Sequence, residues 1–135
     1  MKREPRVGCG AAIIIERRIL LIQRRHAPEA LHWGLPGGKV EFLEPVTAAV
    51  AREVLEELGI VIRPVQLLCL CDQIDPAAGT HWLAPVYLVE AYEGTPRVME
   101  PDKHADCGWF ALDALPVPLT SATRMALGAL RPDGS

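Results

Sequence analysis

The chain has 135 residues, half of them apolar and 23% charged, with a formal net charge of −3 and an isoelectric point near 5.8. This length suits one domain with one hydrophobic core, and the composition excludes a disordered or fibrous protein. The net charge is mildly negative, so the chain lacks the excess of basic residues that is typical of proteins that bind polymeric nucleic acid. An anionic ligand would therefore have to be bound at a local site, where we expect a metal ion to neutralise its charge.

The chain starts with a basic segment, residues 1–6, and an apolar run, residues 9–15, which together resemble a signal peptide. However, the run is too short to span a bilayer, no small-residue cleavage pattern follows it, and its β-branched residues favour a strand. We therefore predict a strand over residues 7–15 and expect a cytoplasmic protein with no membrane contact. A second strand, residues 19–23, follows a charged turn and forms a hairpin with the first.

Residues 24–38 are predicted to form a long loop, because the apolar periodicity disappears there and glycine and proline accumulate. Loops of this length are often functional. A helix is predicted from Pro45 to about Leu58, since proline is tolerated at the first helical position and apolar residues recur every four positions from Val46. Gly59 follows where a left-handed C-terminal cap is expected.

Three further strands are predicted at residues 65–71, 82–91 and 107–111, where apolar runs lie between turns rich in glycine and proline. An extended stretch at residues 60–62 precedes them, and a second helix is predicted over residues 120–130. Strands before and after a helix, followed by a last helix, predict an α/β fold in which a mixed β-sheet is sandwiched between helices.

The four cysteines, at positions 9, 69, 71 and 107, have neither the spacing of a zinc finger nor the density of a disulfide scaffold. Cys69 and Cys71 lie two residues apart, so they share one face of their predicted strand, where free cysteine behaves as a small apolar residue. We predict that all four are buried, reduced thiols, with a zinc pair at Cys69 and Cys71 as the alternative.

The first predicted helix carries an acidic cluster that opposes its own stability. Glu53, Glu56 and Glu57 stand at positions i, i+3 and i+4, so their side chains crowd one edge of the helix and repel each other. They also lie in the last two turns, near the negative end of the helix dipole, where cations are favoured. The cluster is either a solvated acidic face or a site that binds a cation.

The residues around this cluster favour the second interpretation. Seven residues from position 38 to position 59 stand at defined spacings from one another: Gly38, Glu44, Arg52, Glu53, Glu56, Glu57 and Gly59. The apolar residues Val54 and Ile60 lie among and directly after them. This pattern resembles the complete Nudix box, Gly-x5-Glu-x7-Arg-Glu-U-x-Glu-Glu-x-Gly-U, in which U is a bulky apolar residue, and every fixed position matches. The resemblance implies the Nudix fold, in a single Nudix hydrolase domain over residues 1–135.

Clustered carboxylate oxygens on a helix are suitable ligands for Mg²⁺, with Mn²⁺ as the alternative. We expect Glu53, Glu56 and Glu57 to bind the metal, and the resemblance adds a backbone carbonyl of the glycine pair, at Gly37. Arg52 has only hydrogen-bond donors, so it cannot bind a cation. Its guanidinium group is expected to hold a neighbouring carboxylate in place by hydrogen bonds. The alternative is that it forms a plain ion pair at the surface.

The resemblance implies attack of water on a phosphorus atom of a nucleoside diphosphate linked to another group. Glu53 is the leading candidate for the group that orients or deprotonates this water, and catalytic roles are also expected for Arg52 and Glu56. Nudix proteins often recruit a further glutamate, from a loop outside the box, as base or metal ligand. Glu100 is the candidate here, followed by Asp102.

Six residues are candidates for substrate binding: Arg24, Arg25, Gly38, Lys39, Glu41 and Trp82. Related proteins use arginine at the end of the second strand to hold substrate phosphate, so one of Arg24 and Arg25 is expected to do so. Lys39 is placed to neutralise phosphate charge, and Glu41 to serve the metal shell or to orient water. Trp82 is expected to stack on a base or to pack in the core, whereas the other two tryptophans are expected to be structural.

Features outside the box resemble the small nucleoside triphosphate pyrophosphatases, so we expect a (deoxy)nucleoside triphosphate to be hydrolysed to monophosphate and pyrophosphate. The chain contains no asparagine, so it lacks the asparagine with which oxidised-guanine enzymes in this family read the base. Thr120 and Ser121 are the candidates to take over that role.

The second hypothesis is an enzyme for ADP-ribose or another nucleotide sugar, which the short segment before the first strand disfavours. The third is a catalytically silent nucleotide-binding module. A monomer and a homodimer are both compatible with the sequence.

Overall fold

The computed structural model describes residues 3–130, so the first residues of the predicted basic start and the last five residues of the predicted domain lie outside the described range. Nine strands and two helices lie within it. In chain order they are β1 (Arg6–Ile15), β2 (Arg18–Arg24), β3 (Trp33–Gly34), β4 (Gly37–Lys39), α1 (Val46–Leu58), β5 (Val61–Ile62), β6 (Gln66–Asp75), β7 (Thr80–Val89), β8 (Tyr92–Glu93), β9 (His104–Ala111) and α2 (Ser121–Gly128).

Strand β1 is central to the mixed sheet. It pairs antiparallel with β4 near its start and with β2 at its end, and it runs parallel to β7. The strand order is β3-β2-β1-β7-β6, with β9 paired to β2, while β5 and β8 form a separate two-stranded ribbon. Because β1 pairs with β4 and β7 at once, it sets the position of one relative to the other.

Successive residues of β1 point to opposite faces of the sheet, and each face is covered by one helix. Ile13 packs with Val50 and Val54 of α1, all three fully buried. Ile14 belongs to the core on the opposite face, which Ala126 of α2 completes. The predicted arrangement of a mixed sheet between helices is therefore confirmed.

The helices agree closely with the prediction. Helix α1 has the predicted extent, although Pro45 precedes it in an extended conformation instead of occupying its first position. Gly59 ends it with a φ of 70° and donates its N–H to the Leu55 carbonyl, which is the predicted left-handed cap. Helix α2 was predicted over residues 120–130 and spans Ser121–Gly128: it begins one residue later, because Thr120 caps its N-terminus, and it ends two residues earlier. Neither described helix is long and apolar enough to cross a membrane.

The loop predicted over residues 24–38 is wrong in part, because it contains β3 and β4. Strand β4 pairs Gly37 and Gly38 with Gly10 and Cys9 of β1. Both paired segments are rich in glycine, so the sequence shows no alternation of apolar and polar side chains that would predict a strand here. The two-residue strands β5 and β8 are also too short to produce a recognisable pattern.

The two tryptophans expected to be structural pack against other rings. Trp33 contacts Phe110 edge-on, with ring centroids 4.9 Å apart, and Trp109 contacts Tyr92 at 5.6 Å. Each pair belongs to one of the two apolar cores. Their structural role is confirmed.

All four cysteines are free thiols, as predicted. Cys9 and Cys71 are buried, whereas Cys69 and Cys107 are only half-buried, so the predicted burial is wrong for those two. The Sγ atoms of Cys69 and Cys71 lie 3.8 Å apart on one face of β6. Burial raises the pKa of Cys71 to about 12, so this thiol stays protonated at neutral pH.

Candidate active site

A cleft of about 850 Å³ opens beside the first half of β1, between β4, β7 and the start of α2. This volume lies within the range of small-molecule sites. Six of the residues predicted from the sequence line it: Arg24, Gly37, Gly38, Lys39, Glu57 and Trp82. The cleft therefore brings together residues from the glycine loop, α1, β2 and β7.

Arg52 connects the glutamates of α1 to the loop before the helix. Its Nε and Nη2 donate to the two carboxylate oxygens of Glu44 at 2.8 and 3.0 Å, a bidentate pair. Nη1 donates to Glu53 Oε1 at 3.0 Å and to Glu56 Oε1 at 3.3 Å. Nη2 also donates to the Lys39 carbonyl at 2.9 Å. One guanidinium thus contacts three carboxylates and the end of β4.

These contacts also set charge states. The hydrogen bonds from Arg52 lower the pKa of Glu44 to about 2, so this carboxylate is ionised throughout the physiological range. Glu53 differs, because its side chain is only 16% exposed. Burial raises the pKa of Glu53, while the hydrogen bond from Arg52 opposes that rise.

Glu53 packs directly against the backbone of Gly38. A Cβ atom at position 38 would overlap the Glu53 carboxylate. Only glycine, which has no Cβ, therefore allows β4 to approach the helix this closely. The glycine loop and the acidic edge of α1 form one surface.

Glu57 is buried at the inner end of the cleft, with 7% of its surface exposed. The backbone N–H of Gly37 donates to its Oε1 at 2.8 Å. Burial, together with the charges of Glu53 and Glu100, raises the pKa of Glu57 to about 8 against the opposing hydrogen bond from Gly37. A positive charge at this position would offset both the burial and the repulsion.

Glu100 and His104 bring a second segment to Glu57. One potential ligand atom of each of these three residues lies within 4.8 Å of the other two. His104 Nε2 is 3.4 Å from Glu57 Oε2. Asp102, the second loop candidate, is exposed and lies outside this group. The sequence indicated Glu100 but not His104, although a histidine four residues after a candidate glutamate was an available signal.

These side chains fit a divalent cation by their chemistry. Glu57 of α1 and Glu100 of the facing loop offer carboxylate oxygens that converge with His104, whereas Glu53 and Glu56 lie outside that group and contact Arg52. Oxygen donors of this kind suit Mg²⁺ and Mn²⁺. The buried Nδ1 of His104 has no hydrogen-bond partner among residues 3–130. The residues present are therefore compatible with a cation beside Glu57.

The two arginines at the end of β2 have different surroundings. Arg24 lines the cleft, and its Nε donates to the Pro28 carbonyl at 2.8 Å. Arg25 instead turns towards the segment that carries Glu100, where its Nε donates to the Pro101 carbonyl at 2.8 Å. Arg24 is therefore the one of the two that is placed to meet a ligand in the cleft.

The remaining candidates for substrate binding differ in position. Lys39 is exposed and lines the cleft, and the half-buried Trp82 forms part of its wall. The guanidinium of Arg6 lies 5.7 Å from the centroid of the Trp82 ring. Glu41 is exposed and is not among the described residues that line the cleft; its backbone N–H donates to Glu44 Oε1 at 3.0 Å.

Thr120 and Ser121, considered as substitutes for a base-reading asparagine, both line the cleft. The Thr120 hydroxyl lies 2.6 Å from the Thr123 hydroxyl and accepts from the Thr123 N–H, so most of its hydrogen bonding is used within the protein. The Ser121 N–H donates to Glu29 Oε2 at 2.9 Å. These internal contacts disfavour Thr120 as a reader of the base.

The pair of Arg52 and Glu44 predicts a loss of stability in acid. Because the pKa of Glu44 is lowered from 4.5 to about 2 in the folded protein, its stabilising contribution is complete above about pH 4.5 and is lost as the pH falls to about 2. We expect Glu44→Gln to have a smaller free energy of unfolding than the wild type at neutral pH. The difference should shrink through that acid window in urea titrations with chelator present. A difference that does not vary with pH would contradict this assignment.

Comparison with known proteins connects this geometry to a family. The NUDIX domain model matches residues 4–127. A crystal structure of a MutT NUDIX hydrolase from Burkholderia pseudomallei shares 62% sequence identity with this chain. The similarity covers 95% of this chain and 99% of that one, with a TM-score of 0.93.

Two curated relatives are more distant. An ADP-ribose pyrophosphatase of Methanocaldococcus jannaschii is 32% identical over 83% of this chain and 65% of its own length. The 8-oxo-dGDP phosphatase NUDT18 of Mus musculus is 33% identical over 75% of this chain and 30% of its own length. The chain thus spans less than two thirds of the length of these curated relatives. Because the family model matches nearly all of the described range, this chain belongs to the Nudix family, whose solved MutT relative is a hydrolase, the enzyme class that the box predicts.

Proposed function

We propose that this domain hydrolyses a phosphoanhydride bond of a nucleoside triphosphate, giving the monophosphate and pyrophosphate. The main support is the set of glutamates that Arg52 holds beside β4, where Glu53 packs against Gly38, a residue that lines the cleft of about 850 Å³. The 62% identity to a MutT NUDIX hydrolase, over almost the whole of both chains, supports the same class of reaction.

The reaction requires a divalent cation, and Mg²⁺ and Mn²⁺ are the two candidates. Glu53, Glu56, Glu57 and Glu100 would hold it with carboxylate oxygens, and Gly37 with its carbonyl. The chemistry that such a cation supplies is neutralisation of phosphoryl charge and a lower pKa for water. Arg52 contributes by fixing Glu53 and Glu56, whose like charges would otherwise separate them.

Glu53 is the residue assigned to orient the attacking water and to accept its proton. Arg52 donates to Oε1, and Oε2 lies against Gly38, so the carboxylate has a fixed orientation. The water oxygen forms the new bond to phosphorus while the phosphorus–oxygen bond of the anhydride breaks. The electron pair of that bond leaves with pyrophosphate when the α-phosphorus is attacked, or with the monophosphate when the β-phosphorus is attacked. A positioned carboxylate base contributes roughly 10²–10⁴-fold to such a step.

The remainder of the nucleotide matches the lining of the cleft. Arg24 and Lys39 line it and provide cationic donors for phosphate oxygens. Trp82 provides an aromatic surface on which a base can stack. The phosphates would therefore lie towards the glycine loop and the base towards β7.

A second candidate function is hydrolysis of ADP-ribose or another nucleotide sugar. It is favoured by the M. jannaschii relative, which is named an ADP-ribose pyrophosphatase. The same glutamates would serve either reaction, because both substrates contain a diphosphate linkage. A catalytically silent module is disfavoured, since every glutamate of the box is present and Arg52 contacts three of them.

A substrate panel distinguishes these functions. We expect purified protein with Mg²⁺ or Mn²⁺ to release pyrophosphate from at least one ribonucleoside or deoxyribonucleoside triphosphate. Pyrophosphate is measured by a coupled colorimetric assay, and the nucleotide products by ion-exchange chromatography. Release of AMP from ADP-ribose, with no pyrophosphate from any triphosphate, would favour the second candidate and contradict the first. Chelation of the cation should abolish either activity.

Substitution of Glu53 tests its assigned role. We expect Glu53→Gln to lower kcat by roughly 10²-fold or more, because the amide keeps the shape of the side chain but cannot accept the proton. Glu90→Gln is the matched control, since Glu90 is exposed and follows β7 outside the cleft. Circular dichroism checks that both variants are folded. Activity of Glu53→Gln equal to that of the wild type would show that the base lies elsewhere.

The contact between Gly38 and Glu53 gives a second variant. Gly38→Ala should retain the fold, because the group that its Cβ would displace is the end of a flexible side chain. It should nevertheless lower kcat by about tenfold or more, since misplacement of a catalytic group by about 1 Å can cost 10²-fold. Gly128→Ala is the matched control, because a Cβ there meets no heavy atom within 4 Å. Equal activity of the two variants would show that the close approach is unimportant.

A further inference from the structure

The group formed by Glu57, Glu100 and His104 contains a nitrogen donor that the Nudix box does not supply. Potential ligand atoms of the three residues lie within 4.8 Å of one another. Glu57 comes from α1, whereas Glu100 precedes β9 and His104 begins it. Two separate segments of the chain therefore converge on one small volume beside the cleft.

His104 is buried in this group, with 8% of its surface exposed. Its Nδ1 is buried and has no hydrogen-bond partner among the residues that the structure describes. Buried polar atoms are nearly always satisfied by a protein group, a water or an ion, so the unpaired Nδ1 indicates a missing partner on its own side of the ring, whereas Nε2 is the nitrogen that faces Glu57.

An ion pair with Glu57 explains the surroundings of His104 only in part. The distance from His104 Nε2 to Glu57 Oε2 is 3.4 Å. Charge-assisted hydrogen bonds between nitrogen and oxygen are shorter, about 2.7–2.9 Å. A cation shared by the two side chains explains why they approach closely without a short hydrogen bond.

The backbone holds Glu100 and His104 in place for such a role. The His104 N–H donates to the Glu100 carbonyl at 3.0 Å, which closes a turn between the two residues. Arg25 donates to the Pro101 carbonyl at 2.8 Å, inside that turn. His104 also pairs with Arg24 in the sheet. The backbone that carries the two side chains is therefore held in place, which lowers the entropic cost of binding an ion, while the Glu100 carboxylate accepts from Lys103 Nζ at 3.4 Å.

We propose that His104 is a ligand of the cation held by Glu57 and Glu100, and that its nitrogen makes this site favour a transition-metal dication such as Mn²⁺ over Mg²⁺. Magnesium binds oxygen donors almost exclusively, whereas an imidazole nitrogen strengthens binding of transition-metal ions. The proposal rests on the proposed function only in that both place a divalent cation beside Glu57.

Electron spin echo envelope modulation of the Mn²⁺-loaded protein tests this directly. We expect modulation from a ¹⁴N nucleus bonded to Mn²⁺, replaced by the ¹⁵N pattern when the wild-type protein is labelled with ¹⁵N-histidine. His104→Gln should abolish the nitrogen signal and weaken Mn²⁺ binding by roughly tenfold or more, with a smaller effect on Mg²⁺. His32→Gln is the matched control, because His32 lies in a loop and contacts the Ala30 carbonyl.

The outcomes separate this proposal from the proposed function. Mn²⁺ that binds without nitrogen modulation, or no Mn²⁺ binding at all, would overturn the role of His104, even if pyrophosphate is released in Mg²⁺. Nitrogen modulation in a protein that hydrolyses no member of the substrate panel would support His104 and contradict the proposed function. If His104→Gln does not fold, a nitrogen signal that persists in His26→Gln, His32→Gln and His81→Gln would assign it to His104, and its loss in one of them would overturn the proposal.

Discussion

The hydrogen bonds of Arg52 connect the parts on which the candidate site depends. Its guanidinium contacts Glu44 in the loop, Glu53 and Glu56 on α1, and the Lys39 carbonyl at the end of β4. Without the positive charge of Arg52 the carboxylates would repel each other, and the loop would lose the hydrogen bonds that connect it to the helix through this side chain. Arginine suits the position because it has five donors in a rigid fork, and the surrounding carboxylates raise its pKa further.

The acidic edge of α1 is unfavourable for the helix and useful for the site. Carboxylates in the last turns oppose the helix dipole, and the burial of Glu57 adds a cost of desolvation. Arg52 offsets part of the repulsion on the outer side of the cluster, whereas Glu57 on the inner side accepts from the Gly37 N–H, lies near His104 and is affected by the charge of Lys103. Burial and repulsion still raise the pKa of Glu57 to about 8, and a cation beside it would favour its ionised form.

Local sequence patterns predicted α1, its glycine cap and the acidic cluster, because the residues that determine them lie within one continuous segment. The different surroundings of Arg24 and Arg25 could not be predicted in this way, since they depend on the pairing of β2 with the distant β9. The same pairing places His104 beside Glu57. Strand β4 could not be predicted from the sequence, because glycine-rich segments pair there without a pattern of apolar and polar side chains.

Strand β1 brings two walls of the cleft together. Its Cys9 pairs with Gly38 of β4, and its Arg6 pairs with Trp82 of β7. Between these positions, a Cβ atom at Gly8 would lie 3.2 Å from the Gly38 carbonyl oxygen and 3.5 Å from Cε3 of Trp82. The glycine loop and the aromatic wall therefore meet at one position of one strand, and a larger residue at position 8 would narrow the space between them.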